Sequence, residues 1–203
     1  HNMSKKDIDI ELYREQLKQY LLRLYPSTNT AQLTDLCNQF TFHKFDKRQM
    51  ILKAGEFSNT VYFICKGLVR IYYVKEDKEI TNWFIKENML FAATYSILTN
   101  NNNYSNYEAL EDTHVIKLDY DVMESFYAKY HSLEHLGRKI IEAYYGAFMK
   151  KTFDVLFLSA EERYNLFAKD NLDLLNRVPL RFIASYLGIT QETLSRLRSK
   201  STK

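Results

Sequence analysis

Long apolar runs are missing from this sequence. The longest clear ones, such as residues 61–65, are strand-sized. They fall far short of the roughly 18 residues a membrane-spanning helix needs, so no span is expected. Cysteine is scarce: Cys37 and Cys65 are too few for a disulfide framework or a four-thiolate metal cluster. Each lies in an apolar stretch, where a buried, inert thiol is the usual case. The opening stretch, HNMSKKDIDIEL, mixes both charges and lacks the apolar middle of a signal peptide, and His1 and Asn2 read as a remnant added before the methionine. Together these absences describe a soluble cytoplasmic protein. Catalytic patterns are absent as well: no nucleophile elbow, phosphate loop or metal-ligand spacing occurs. His131 and His135 are spaced to share a helix face, but no third ligand is clearly placed to join them, and His43 and His114 fall in strand-like text. Neither an enzyme nor a bound cofactor or metal is expected.

What is present is enough for a real core. Hydrophobic residues make up 46% of the 203, and aromatics 15%, which excludes a disordered chain and allows one large or two small domains. The net charge of +3 is uninformative, but its distribution is not. From Arg177 onward there are six basic residues (Arg177, Arg181, Arg196, Arg198, Lys200, Lys203) and one acid, Glu192. This end carries +5, so the preceding residues carry −2. A mildly acidic body with a basic end points to polyanion binding there, although a solubilising terminus has the same composition.

Ile8, Leu12, Leu17, Leu21 and Leu24 predict an amphipathic opening helix that stops at Pro26, and a short second helix is expected over 31–38. From Phe40 to about Leu118 the text turns to short β-branched and aromatic runs: FTFHKF, MILKAG, TVYFICKG, LVRIYYV, EITNWFI, YEALE and HVIKLD. Close spacing of such runs predicts a sandwich or barrel, with Gly55 and Gly67 at turns and a loop over 100–103. Helical spacing then returns at Val122, Phe126 and Tyr130. It continues through Leu133, Leu136, Ile140, Tyr144, Ala147, Phe148, Val155 and Leu158. So long a stripe favours pairing with a twin, and Gly137 and Gly146 would let two backbones approach; a helix lying on its own barrel would show the same periodicity. Ser159 and Glu162 form a capping box that restarts the chain as a new helix to about Asp170, with a domain boundary and hinge at Ser159.

The segment 180–200, LRFIASYLGITQETLSRLRSK, reads as helix, turn, helix. Ile183, Ala184 and Leu187 form the inner face of the first helix, and Pro179 suits its start. Gly188 supplies the left-handed turn residue, Ile189 plugs the corner, and Thr190 caps the second helix. Leu194 and Leu197 return that helix to the core. Outward, Gln191, Glu192, Ser195 and Arg196 have the chemistry to read bases: Arg for guanine, Gln for adenine, Glu for cytosine N4. Thr190, Thr193, Arg198 and Lys200 are better placed for phosphates. An ordinary helical hairpin with a solvated face is the plainer reading, and the Ala–Gly–apolar spacing argues against it.

Taken in order, these segments resemble the Crp/Fnr family of bacterial transcription regulators over nearly the whole chain. The sharpest stretches are ILKAGEFSNTVYFICKGLVRIYY (51–73), YEALEDTHVIKLDYDVMESF (107–126) and IASYLGITQETLSRLRSK (183–200). The resemblance implies a homodimer joined through the long helix, with each recognition helix reading half of a palindrome. Glu192 and Arg196 match the family's E-T-x-x-R pattern, while Gln191 stands where many members carry Arg. The departures are equally specific. The family's cyclic-nucleotide binders use a Gly-Glu pair for the ribose and an Arg-Ser pair for the cyclic phosphate. Here the first pair reads Ala92-Ala93 and the second Asn103-Tyr104, and the purine-facing positions on the long helix read Phe148 and Met149. Without a cation the charge-assisted hydrogen bonds to a buried phosphate are lost, each worth about 1.5–3 kcal/mol, so cyclic AMP is not expected to bind in the usual way. The iron–sulfur branch needs an N-terminal cysteine cluster, and none is written here. The family's wing hairpin should follow the recognition helix, where only Ser201, Thr202 and Lys203 remain.

The expected fold is therefore α+β. It comprises a jelly-roll-like double-stranded β-helix with flanking helices (3–130), a dimerisation helix (131–158) and a helix-turn-helix domain with a short or missing wing (159–203). The expected function is dimeric, sequence-specific regulation of transcription. The partners are a palindromic double-stranded DNA operator, a second copy of the chain, RNA polymerase if it activates, and an effector of unknown identity; no membrane is expected. The alternative is a ligand-binding module whose wingless C-terminal domain contacts protein rather than DNA.

Overall fold

The computed structural model describes residues 5–201, with side chains over 10–200; His1, Asn2, Lys203 and the side chain of Ile8 lie outside that range. Two helices open the chain. In α1 (Lys5–Leu24) the inward positions are Leu17 and Leu21, and in α2 (Thr30–Cys37) they are Leu33 and Leu36. Asn29 caps α2, its Oδ1 accepting from the Gln32 N–H at 3.1 Å.

Eight strands follow: β1 (Thr41–Phe45), β2 (Met50–Leu52), β3 (Thr60–Lys66), β4 (Val69–Lys75), β5 (Lys78–Ile85), β6 (Leu90–Ala92), β7 (Asn106–Ala109) and β8 (Thr113–Asp119). They form two four-stranded sheets, in the orders β1-β8-β3-β6 and β2-β7-β4-β5. All seven strand-like runs of the sequence become strands. β3 and β8 are the centre of the first sheet, pairing Val61 with Leu118 and Phe63 with Ile116. β3 is buried without a break from Val61 to Cys65, as a strand covered on both faces is, and β8 buries Thr113, Val115, Ile116 and Leu118. Gly67 ends β3 at φ 104°, and a Cβ there would lie 2.5 Å from the Thr113 hydroxyl oxygen, so no other residue fits. The β4–β5 turn is made by Glu76 and Asp77 at φ 51° and 60°, the left-handed pair of a tight two-residue hairpin. β6 and the short helix α3 (Thr94–Thr99) have no counterpart in the expectations.

After the roll come α4 (Tyr120–Lys129) and the long helix α5 (His131–Phe157). The chain forms two compact units: the residues up to Ile71 with Phe84–Glu142, and Tyr72–Trp83 with the residues from Ala143 on. β4, β5 and α5 run from one unit into the other. The start of α5 is held in the first unit through buried Leu133, Leu136 and Gly137. Gly137 makes room for the Tyr127 ring of α4, 2.7 Å from where a Cβ would stand, so the close approach it permits is within the chain. Gly146 faces open space.

The second unit contains the far half of α5, then α6 (Ala160–Asp170), α7 (Leu174–Arg177), α8 (Leu180–Leu187) and α9 (Gln191–Ser201). The capping box at the start of α6 forms as its sequence predicts: Ser159 N–H donates to Glu162 Oε2 at 2.8 Å and Glu162 N–H to Ser159 Oγ at 3.3 Å. The core of this unit is Tyr164, Phe167, Leu174, Val178, Ile183, Ala184, Leu187, Leu194 and Leu197. The tip of the β4–β5 hairpin packs here: Thr81 N–H donates to Ser185 Oγ at 2.9 Å, and that hydroxyl donates to the Glu79 carbonyl at 3.2 Å. Among the described residues no helix is long and apolar enough to cross a membrane.

Candidate nucleic-acid interface

The interface is assembled from the turn between α8 and α9. Ile183 and Ala184 are fully or nearly fully buried, and α8 ends on Gly188 at φ 67°, ψ 35°. That left-handed residue lets the Ile189 N–H reach the Ala184 carbonyl at 3.0 Å, closing the helix and reversing the chain. Arg163 locks the same corner from α6, its Nε donating to the Leu187 carbonyl at 3.0 Å and its Nη1 to the Leu158 carbonyl at 2.6 Å. Thr190 then caps α9, its Oγ1 accepting from the Thr193 N–H at 3.2 Å. Leu194 and Leu197 sit in the core, and burial of each is worth about 1.5–3 kcal/mol, which fixes the rotation of α9 about its axis.

That rotation decides what faces solvent. Gln191, Glu192, Ser195, Arg196 and Lys200 are exposed, as is Thr190; Thr193 and Arg198 are half-buried at the edge. Glu192, near the helix start, is held below the usual carboxylate range by its own backbone N–H and by the Thr190 hydroxyl, so it remains an acceptor at neutral pH. Arg196 makes one long contact, 3.5 Å to Thr193 Oγ1 on its own helix. All eight residues named from the sequence therefore lie on one turn and one helix. Six of them are exposed and two half-buried, so they share one solvent-facing surface of donors and acceptors.

The residues named for an effector pocket have a different fate. Ala92 ends β6, and its carbonyl accepts from the Tyr107 hydroxyl at 3.2 Å; Ala93, buried, precedes α3. Asn103 is 3% exposed and its amide is spent on the chain: Nδ2 donates to the Lys53 carbonyl at 3.1 Å and Oδ1 accepts from the Ser105 N–H at 2.6 Å. Tyr104 is exposed, its hydroxyl 3.2 Å from that of Tyr95. Phe148 and Met149 are exposed on α5, in the second unit. Nearby in the roll, Arg70 is buried 3.5 Å from Glu108, an ion pair that no pattern in the sequence singled out.

The other candidates are structural. Burial pushes the thiols of Cys37 and Cys65 up to about 12. His114 accepts or donates at 2.7 Å to the Tyr13 hydroxyl, and His135 stacks on Tyr25. Among the described residues no group of three or more His, Cys, Asp or Glu could hold a metal.

The family described as "Cyclic nucleotide-binding domain" matches residues 42–130. The chain is 24% identical over 189 residues to the anaerobic regulatory protein of Haemophilus influenzae, covering 86% of this chain and 72% of that one. It is 27% identical over 209 residues to the fumarate and nitrate reduction regulatory protein of Yersinia pestis, covering 85% and 79% respectively. In fold it is similar to a CooA mutant from Carboxydothermus hydrogenoformans, with a TM-score of 0.65 at 18% identity over 82% of this chain and 78% of that one.

Proposed function

We propose that the chain is a transcription regulator of the Crp/Fnr type, acting as a cytoplasmic homodimer that reads a palindromic DNA operator through α9. The observation that carries this reading is the fixed rotation of α9, which keeps Leu194 and Leu197 inside and turns Gln191, Glu192, Ser195 and Arg196 outward. Arg196 and Glu192 read base edges, and Thr190, Thr193, Arg198 and Lys200 hold phosphates. The division of labour is a sensor roll over 3–130, a joining helix over 131–158 and a DNA-reading domain over 159–203.

A second copy is supported by α5. Beyond the buried start of the helix, Ile141, Tyr145, Phe148, Met149, Phe153 and Leu156 are each at least half exposed. Such a stripe at near-heptad spacing is what a twofold helix pair buries. With the helices paired, the two α9 helices face successive major grooves, about 34–36 Å apart. The roll does not hold cyclic AMP in the usual way: Asn103 stands where a cation is needed and is already hydrogen-bonded to backbone. Contact with RNA polymerase follows if the regulator activates.

Selection from a random duplex pool near physiological salt, with no ligand added, tests the reading. Enrichment of a palindrome with half-sites one helical turn apart is the expected result. Weak, steeply salt-dependent binding without enrichment would overturn it and leave the C-terminal helices as a protein-contacting element.

A further inference from the structure

The second unit contains a cavity of about 190 Å³ beneath the helix-turn-helix, walled by Trp83 of the hairpin, Val155 of α5, Leu166 and Phe167 of α6, and Tyr186 of α8. Lys151 of α5 reaches into the same space. Its Nζ lies 4.2 Å from the centre of the Tyr186 ring and 5.1 Å from that of Trp83, and it donates to the backbone carbonyl and side-chain oxygen of Asn82. No carboxylate of the described residues lies within ion-pair distance of it. The other charged groups at the cavity are engaged or on other walls: Asp154 pairs with Lys150 at 2.7 Å, Arg163 is spent on two carbonyls, and Asp170 comes from α6. Desolvated and without a counter-charge, the Lys151 ammonium is pushed down to about 8.

An ammonium caged by two rings at the edge of an aromatic cavity, and lacking an anion, is half of a binding site. We propose that this cavity binds a small aromatic monocarboxylate, with Lys151 as its charge partner and Trp83 and Tyr186 as its walls. The volume is below the roughly 300–1,000 Å³ of sites for larger ligands, which limits the occupant to about a single ring. Asp154 and Asp170 disfavour a second negative charge. The proposal goes beyond DNA reading and does not depend on it, because it is tested with no duplex present.

Trp83 is the only tryptophan in the chain, so its fluorescence reports this cavity alone. Benzoate is the probe, titrated into the 203-residue chain, with benzamide as its uncharged counterpart. The expected result is a saturable change in Trp83 emission with benzoate and at least tenfold weaker binding of benzamide. Because the carboxylate pairs with the protonated amine, affinity is full below about pH 8 and falls about tenfold per pH unit above it. Tyr186, pushed up to about 12, stays a neutral phenol throughout that range. Lys151→Met keeps the apolar stem and should abolish benzoate binding, whereas Lys151→Arg should retain part of it. Equal binding of benzoate and benzamide, an unchanged response in Lys151→Met, or no saturable response in the native chain would each overturn the proposal.

Discussion

In the first unit the polar side chains of Asn103 and Arg70 are turned on the chain itself, whereas those at the start of α9 are turned away from it. Asn103 uses its amide to join two loops of the roll, and Arg70 is 1% exposed against Glu108. On α9 the hydrogen bonds of Glu192 and Arg196 stay within their own cap and helix, leaving both side chains presented to solvent. Polar groups that satisfy one another make a fold rigid, while polar groups displayed on a rigid helix are available to a partner. Under the proposed function, the contrast gives specificity to the second unit and structural duty to the polar interior of the roll.

Four substitutions sharpen or break that contrast. Arg70→Ala strips a buried partner from Glu108 and should cost about 3–5 kcal/mol of folding stability by denaturant titration, while leaving the selected DNA motif unchanged. Arg196→Ala should do the reverse: about 1–3 kcal/mol of operator affinity by anisotropy titration, with stability held within about 0.5 kcal/mol. If Arg196→Ala destabilised the fold and spared DNA binding, the contrast between the two units would collapse. Gly188→Ala forces a side chain into the left-handed turn and should lower stability by about 1–2 kcal/mol in a thermal melt. Gly146→Ala, in open space on helical backbone, should raise it by roughly 0.5–1 kcal/mol in the same assay.

Much of this was legible in the sequence where the signal was local. The seven strand runs, the Ser159–Glu162 capping box and the Gly188 turn are each carried by a few adjacent residues with one geometric solution. Shorter elements escaped: β6 has three residues and α3 six, too few for a period to appear. The stripe on α5 showed a buried surface but not its partner. The first part is buried by the chain's own residues, with Gly137 serving Tyr127, and the later part is exposed. Periodicity reads the same in both cases. Long-range side-chain choices were invisible, since nothing near Arg163 in sequence announces the carbonyl of Leu187, and nothing near Lys151 announces Trp83. For α9 the inward and outward faces were legible because both the buried leucines and the exposed polar residues lie within one helix.

The central claim, that α9 reads DNA as one of a symmetric pair, is tested most directly by running the random-duplex selection on the native protein and on Arg196→Ala side by side. The account predicts a palindrome for the native protein and, for the variant, the same palindrome with preference lost at one position in each half-site. An identical motif from both proteins, or no motif from the native one, would contradict it.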